Sequence, residues 1–121
     1  MPIPLLICDD SGMARKQLFK ALPASWDVDV TYAVNGLDGL EAIRAGKGEI
    51  AFLDLTMPEM TGYEVLEKVR EEQLKSLIIV ISADVQPEAR ERVMQAGALD
   101  FIRKPVNSEK LNELLKTYGL L

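Results

Sequence analysis

Short apolar runs alternate with segments of helical spacing from one end of this chain to the other, and no other feature narrows its fold as much. The first run is Leu5-Leu6-Ile7-Cys8, and a helix pattern from about Gly12 to Leu22 follows it, ended by Pro23. Val28, Val30, Tyr32 and Val34 alternate as in a half-buried strand. Leu37, Leu40 and Ile43 then share one helix face, with Asn35 as cap and Gly46 as stop. Ile50-Ala51-Phe52-Leu53 predicts a third strand. The helix after it opens at Thr61, with Glu64 at capping-box spacing, and carries Val65, Leu66 and Val69. Leu77 to Ile81 predicts a fourth strand, and Pro87 suits the first turn of a helix that carries Ala89, Val93 and Met94 and stops at Gly97. Leu99 to Arg103 is a short fifth strand; a last helix carries Leu111, Leu114, Leu115 and Tyr118 before Gly119.

Strands that alternate with helices imply parallel pairing through helical crossovers, and so an α/β fold. Strands one, three and four are continuously apolar, as expected when helices cover both faces of a sheet. Strand two alternates, and strand five is broken by Asp100 and Arg103, which sends both to the edges. The order 2-1-3-4-5 satisfies these demands: a flavodoxin-like (βα)5 three-layer sandwich with its switch point between strands one and three. No repeat, low-complexity tract or linker interrupts the pattern, so residues 1–121 read as one domain.

Composition removes several classes of function. The chain has no histidine, which excludes a Ser-His-Asp triad, a histidine-ligated zinc site and a phosphohistidine relay within it. Any metal must be held by oxygen, which points to Mg²⁺, Mn²⁺ or Ca²⁺. A net charge of −5 argues against direct nucleic-acid binding. The single cysteine, Cys8, lies in an apolar run and reads as a buried structural residue. The apolar run from Leu77 to Ile81 is far shorter than the ~20 residues a membrane-spanning helix needs. Neither a signal peptide nor membrane insertion is expected, and a cytoplasmic protein is.

In such a sheet, ligands gather at the carboxyl ends of the strands, near the switch point. Reading each central strand to its end gives Asp9-Asp10 after strand one, Asp54 after strand three, Ser82 after strand four and Lys104-Pro105 after strand five. Each has an ordinary explanation alone, as a cap, a turn or a loop entry; together they would share one cleft. Two like charges ~4 Å apart repel by about 4 kcal/mol at an effective dielectric near 20, so such a cluster raises a pKa or binds a hard cation. An octahedral Mg²⁺ that keeps some of its waters is the natural occupant. A carboxylate can attack phosphorus, while Lys104 supplies a second cation and Ser82 a hydroxyl donor. Those are the parts of a phosphoryl-transfer site.

Four segments carry a resemblance to a known family: Ile7-Cys8-Asp9-Asp10-Ser11, Phe52 to Gly62 with Asp54 inside it, Ile81-Ser82-Ala83, and Ala96 to Pro105. Over essentially its whole length the chain resembles the receiver domains of response regulators, most of all the single-domain chemotaxis regulators of the CheY type. The resemblance implies that Asp54 is phosphorylated and that Asp9 and Asp10 hold Mg²⁺, for which Mn²⁺ can substitute. It further implies that the Thr56 backbone carbonyl joins Asp54 as a metal ligand. Ser82 matches the switch hydroxyl, Phe101 the aromatic switch, Lys104 the phosphoryl-stabilising lysine, and Pro105 a cis-proline. Thr56 and Asp84 flank the site at positions that tune dephosphorylation in the family. Two positions depart from common family choices: Phe101 stands where chemotaxis regulators carry tyrosine, and Ser76 where many receivers have proline.

The partners implied are a histidine kinase or histidine phosphotransfer protein as donor, and a downstream protein bound through helix four, strand five and helix five. The state implied is a monomer or a weak, phosphorylation-dependent dimer. The rival class is a haloacid-dehalogenase-like phosphatase, which needs Asp-x-Asp after its first strand, whereas here the pair is adjacent. A non-phosphorylated pseudo-receiver is the third reading.

Overall fold

A computed structural model describes residues 2–84 and 86–121 of the chain. The elements are β1 (Ile3–Cys8), α1 (Gly12–Ala21), β2 (Val28–Ala33), α2 (Gly36–Arg44), β3 (Ile50–Leu53), α3 (Gly62–Glu71), β4 (Leu77–Ser82), α4 (Pro87–Gln95), β5 (Asp100–Arg103) and α5 (Ser108–Thr117). The five strands form one parallel sheet in the order β2-β1-β3-β4-β5, the order the apolar patterns require. The fold is therefore the flavodoxin-like sandwich.

Continuous apolar runs serve both faces of the sheet at once. On β1, Leu5 and Ile7 join Leu18, Phe52, Ile79, Leu111 and Leu115 beneath α1 and α5. Their neighbours Leu6 and Cys8 point the other way and pack with Leu40, Leu53, Val65, Val80 and Val93 beneath α2, α3 and α4. A strand has a side-chain period of two, so only an unbroken apolar run can fill both cores. Phe52, 1% exposed, is the largest fully buried side chain, and it lies two residues before Asp54.

Local signals fix the helix ends. Asn35 Oδ1 accepts the Asp38 N–H, and Asn107 Oδ1 the Lys110 N–H, each capping a helix start. Thr61 and Glu64 close the capping box on α3, with bonds of 3.3 and 3.1 Å. Gly46, Gly97 and Gly119 all take positive φ just beyond helix ends, where a side chain would be strained. Thr61→Ala is expected to lose about 1 kcal/mol, read as a lower urea midpoint with unchanged slope. No helix among the described residues is long and apolar enough to cross a membrane.

Candidate functional site

The strand ladders run one bond past their assigned ends and carry the acidic residues with them. Asp9 N–H donates to the Ala33 carbonyl, and Asp54 N–H to the Cys8 carbonyl, each at 3.0 Å. On the other side, Lys104 N–H donates to the Ser82 carbonyl at 2.8 Å. The ends of β2, β1 and β3 are thus held side by side, and so are those of β4 and β5. The buried polar side chains among the described residues are Asp9, Asp54 and Ser82, and all lie at this end of the sheet. Buried polar groups are costly unless paired or used, so their gathering in one place marks the site.

Oxygens of Asp9, Asp10 and Asp54 lie within 4.8 Å of one another. Asp9 Oδ1 accepts the Ser11 N–H at 2.9 Å, and Asp9 Oδ2 accepts from Lys104 Nζ at 2.9 Å. The same ammonium lies 3.5 Å from Asp54 Oδ1. Asp10 is exposed. One ammonium against three carboxylates leaves a formal charge of about −2, an arrangement that favours a further cation. The donors are all hard oxygens, so the residues present fit Mg²⁺ or Mn²⁺.

Burial, then the neighbouring Asp9 charge, pushes the Asp54 carboxyl above its ordinary value, with Lys104 opposing. Burial acts to lower the Lys104 ammonium, but its bonds and charges with Asp9 and Asp54 outweigh this and raise it. Cys8 is fully buried, and burial followed by the adjacent carboxylates pushes its thiol up to about 12. A thiol so protonated is a packing residue rather than a nucleophile.

The remaining site residues occupy the loops around this centre. The Ser82 hydroxyl accepts the Asp84 N–H at 3.1 Å, which leaves its own O–H free to donate. Asp84 is exposed, and its Oδ1 accepts the Gln86 N–H at 2.9 Å, so this carboxylate oxygen turns toward the start of α4. Thr56 is exposed in the loop after β3. The Lys104–Pro105 peptide bond is cis. Phe101 is half-buried against the core under α4.

Three contacts, made by Arg15 and by Asp100, had no sequence signal. Arg15 Nη1 donates to the Asp9 carbonyl at 2.7 Å, although a cation on a helix surface ordinarily reads as solvated. Asp100 joins three elements: its Oδ1 lies 3.4 Å from Arg90 of α4 and its Oδ2 accepts from the Tyr118 hydroxyl, beyond α5, at 2.9 Å.

Residues 5–116 match the response regulator receiver domain family. Chemotaxis protein CheY of Treponema pallidum is 32% identical over 114 residues, a stretch covering 93% of this chain and 79% of that protein. A protein-glutamate methylesterase/protein-glutamine glutaminase of Koribacter versatilis is 34% identical over 91% of this chain, which spans only 31% of that longer protein. The CheY of a CheX-CheY-BeF3-Mg complex from Borrelia burgdorferi superimposes with a TM-score of 0.85 at 27% identity, covering 98% of this chain and 90% of its own. The chain belongs to the response regulator receiver domain family. It is a CheY-like receiver with a phosphoacceptor role in two-component signalling, and the phosphatase alternative is not favoured.

Proposed function

We propose that Asp54 accepts a phosphoryl group from a histidine kinase, a histidine phosphotransfer protein or a small donor such as acetyl phosphate. One observation supports this above the others: a buried carboxylate ends the central strand, ringed by two more carboxylates and a single ammonium. An oxygen of Asp54 forms the new bond to phosphorus as the bond from phosphorus to the donor breaks, giving an acyl phosphate. Asp9, Asp10, Asp54 and the Thr56 backbone carbonyl would hold the magnesium ion. When bound, that ion neutralises phosphoryl charge and cancels the repulsion within the cluster.

Lys104 then faces a dianion instead of a monoanion, because the acyl phosphate carries roughly −1.5 to −2 charges near neutral pH in place of the single charge of the carboxylate it replaces. The free O–H of Ser82 donates to a phosphoryl oxygen, which draws the hydroxyl away from the Asp84 N–H. Phe101 turns into the space this movement opens, and the face of α4, β5 and α5 changes its affinity for a downstream protein. The half-buried starting position of Phe101 is consistent with either direction of turning. Thr56 and Asp84, exposed beside the site, set the access of water to the acyl phosphate. The output is a changed interaction, in chemotaxis or another two-component pathway, and the chain acts as one domain.

Intact-mass analysis after incubation with acetyl phosphate tests this reading. One phosphoryl adduct per chain is expected with Mg²⁺ and none after chelation, with no turnover of simple phosphoesters. A chain that acquires no adduct and binds no beryllofluoride is a pseudo-receiver, and the proposal fails.

A further inference from the structure

Helix α1 begins with the wrong charges for a helix. Its first turn holds no acidic residue, and Arg15 and Lys16 follow immediately. The helix dipole favours anions at that end, so cations there are unfavourable unless something nearby attracts them. Arg15 is half-buried and makes no ion pair within 4.0 Å among the described residues. Its guanidinium instead folds back toward Gly12 and donates to the neutral backbone carbonyl of Asp9 at 2.7 Å. That is the length of a charge-assisted bond.

The bond matters because of what the peptide carries. Both Asp9 carboxylate oxygens are engaged, one by the Ser11 N–H and one by Lys104. Asp10 lies at the exposed end of the cluster. The Asp9 carbonyl and the Asp10 nitrogen lie in one rigid peptide plane. Holding the oxygen end of that plane sets the position of the Asp10 Cα and so narrows the directions from which its side chain can leave.

We infer that Arg15 is a positioning residue for the acidic pair, holding the Asp9–Asp10 peptide so that Asp10 faces Asp54 and a divalent cation finds its ligands in place. The inference rests on the metal-assisted phosphoacceptor reading above. Two effects of Arg15 oppose each other: its charge repels a divalent cation, while its hydrogen bond orders the ligands. Residues that orient metal ligands typically change affinity by about 10- to 100-fold, and the repulsion is weakened by solvent at a half-exposed group. Positioning therefore dominates.

The test is calorimetric titration of Mg²⁺ into the parent chain, Arg15→Ala and Arg15→Lys, with the Asp10 amide resonance of each metal-free protein recorded alongside. Expected are binding about tenfold weaker in Arg15→Ala, recovery to within about threefold of the parent in Arg15→Lys, and an Asp10 resonance displaced only in the alanine variant. Unchanged or tighter binding in Arg15→Ala overturns the inference, because a charge acting alone would tighten it. A lysine variant as weak as the alanine one, or an Asp10 resonance unmoved in Arg15→Ala, also overturns it. A parent chain that takes up no Mg²⁺ overturns the metal-site reading itself, which separates the two failures.

Discussion

Asp54→Asn is expected to take up no phosphoryl group and, in magnesium-free buffer near neutral pH, to melt about 5 °C above the parent chain. The first effect follows from the lost carboxylate, since an amide offers no anionic oxygen to phosphorus. The second follows from charge. With carboxylate oxygens within 4.8 Å of one another, each repulsion between Asp54 and a neighbouring carboxylate is about 3 kcal/mol at an effective dielectric near 20. The Lys104 ammonium, 3.5 Å from Asp54, returns about 5 kcal/mol on the same scale, but it is shared with Asp9. The cost of burial and the repulsion from Asp9 outweigh one shared attraction, which is why the Asp54 carboxyl lies above its ordinary value. Replacing the charge with a neutral isostere should therefore recover about 1–2 kcal/mol.

The sign of the pH dependence follows from the same shift. A carboxyl raised in the folded state weakens the fold when ionised, so its cost is fully present above the folded pKa and absent below the unfolded one. The melting advantage of Asp54→Asn should be largest near neutral pH and close as pH falls to about 4 and below. Added Mg²⁺ should shrink it too, by compensating the parent's carboxylates. Paired melting curves across pH check this. A variant that melts lower than the parent at neutral pH would show that the Asp54–Lys104 attraction is the stronger term.

Much of this could be read from the chain because two periodicities carry the information. Strand and helix patterns gave all the elements, and the contrast between the continuous apolar runs of strands one, three and four and the alternating or broken runs of strands two and five gave the sheet order. The boundaries that differ have local reasons. The first strand begins at Ile3, earlier than its apolar run, with Pro4 inside it. Pro4 is tolerated because pairing with β3 begins only at Leu5, and the bond to the β2 side is made by its neighbour Ile3. Leu99 lies outside β5 although its N–H donates to the Ile78 carbonyl, a bond at the margin of the ladder.

The carboxylate cluster was legible for a different reason: a strand end is a position in space as well as in sequence. Asp9, Asp10, Asp54 and Lys104 could be placed together by counting strands, with no knowledge of rotamers. Arg15 and the Asp100 junction could not, because a long side chain on a helix reaches carbonyls and carboxylates that sequence spacing does not order. The Asp84 contact was hidden similarly. Its backbone N–H, rather than its carboxylate, engages Ser82, so the residue expected to meet water is also tied to the Ser82 hydroxyl.

Gly62→Ala is expected to lose about 3 kcal/mol of stability and to slow phosphoryl uptake at the same time. Gly62 opens α3 directly beneath the end of β3, and its N–H donates to the Leu55 carbonyl at 2.9 Å. A Cβ there would run into the backbone carbonyl oxygen of Asp54 and lie 2.8 Å from Leu55 Cα. Both obstacles are main chain, so no side-chain rotation relieves them. Relief requires α3 to move away from the sheet or the Asp54–Leu55 peptide to shift. The first exposes Val65 and Leu66, which are nearly fully buried. The second moves the Asp54 carboxylate away from Lys104 and the acidic pair. The loss is a large fraction of the ~5–15 kcal/mol that stabilises an ordinary domain. Urea midpoints should fall with unchanged slope, and the rate of labelling by acetyl phosphate should fall even in buffer where the variant is fully folded. A variant that is destabilised yet labels at the parental rate would show that α3 yields and Asp54 keeps its place. Parental stability would show that the contact between α3 and the acceptor loop is looser than these distances require.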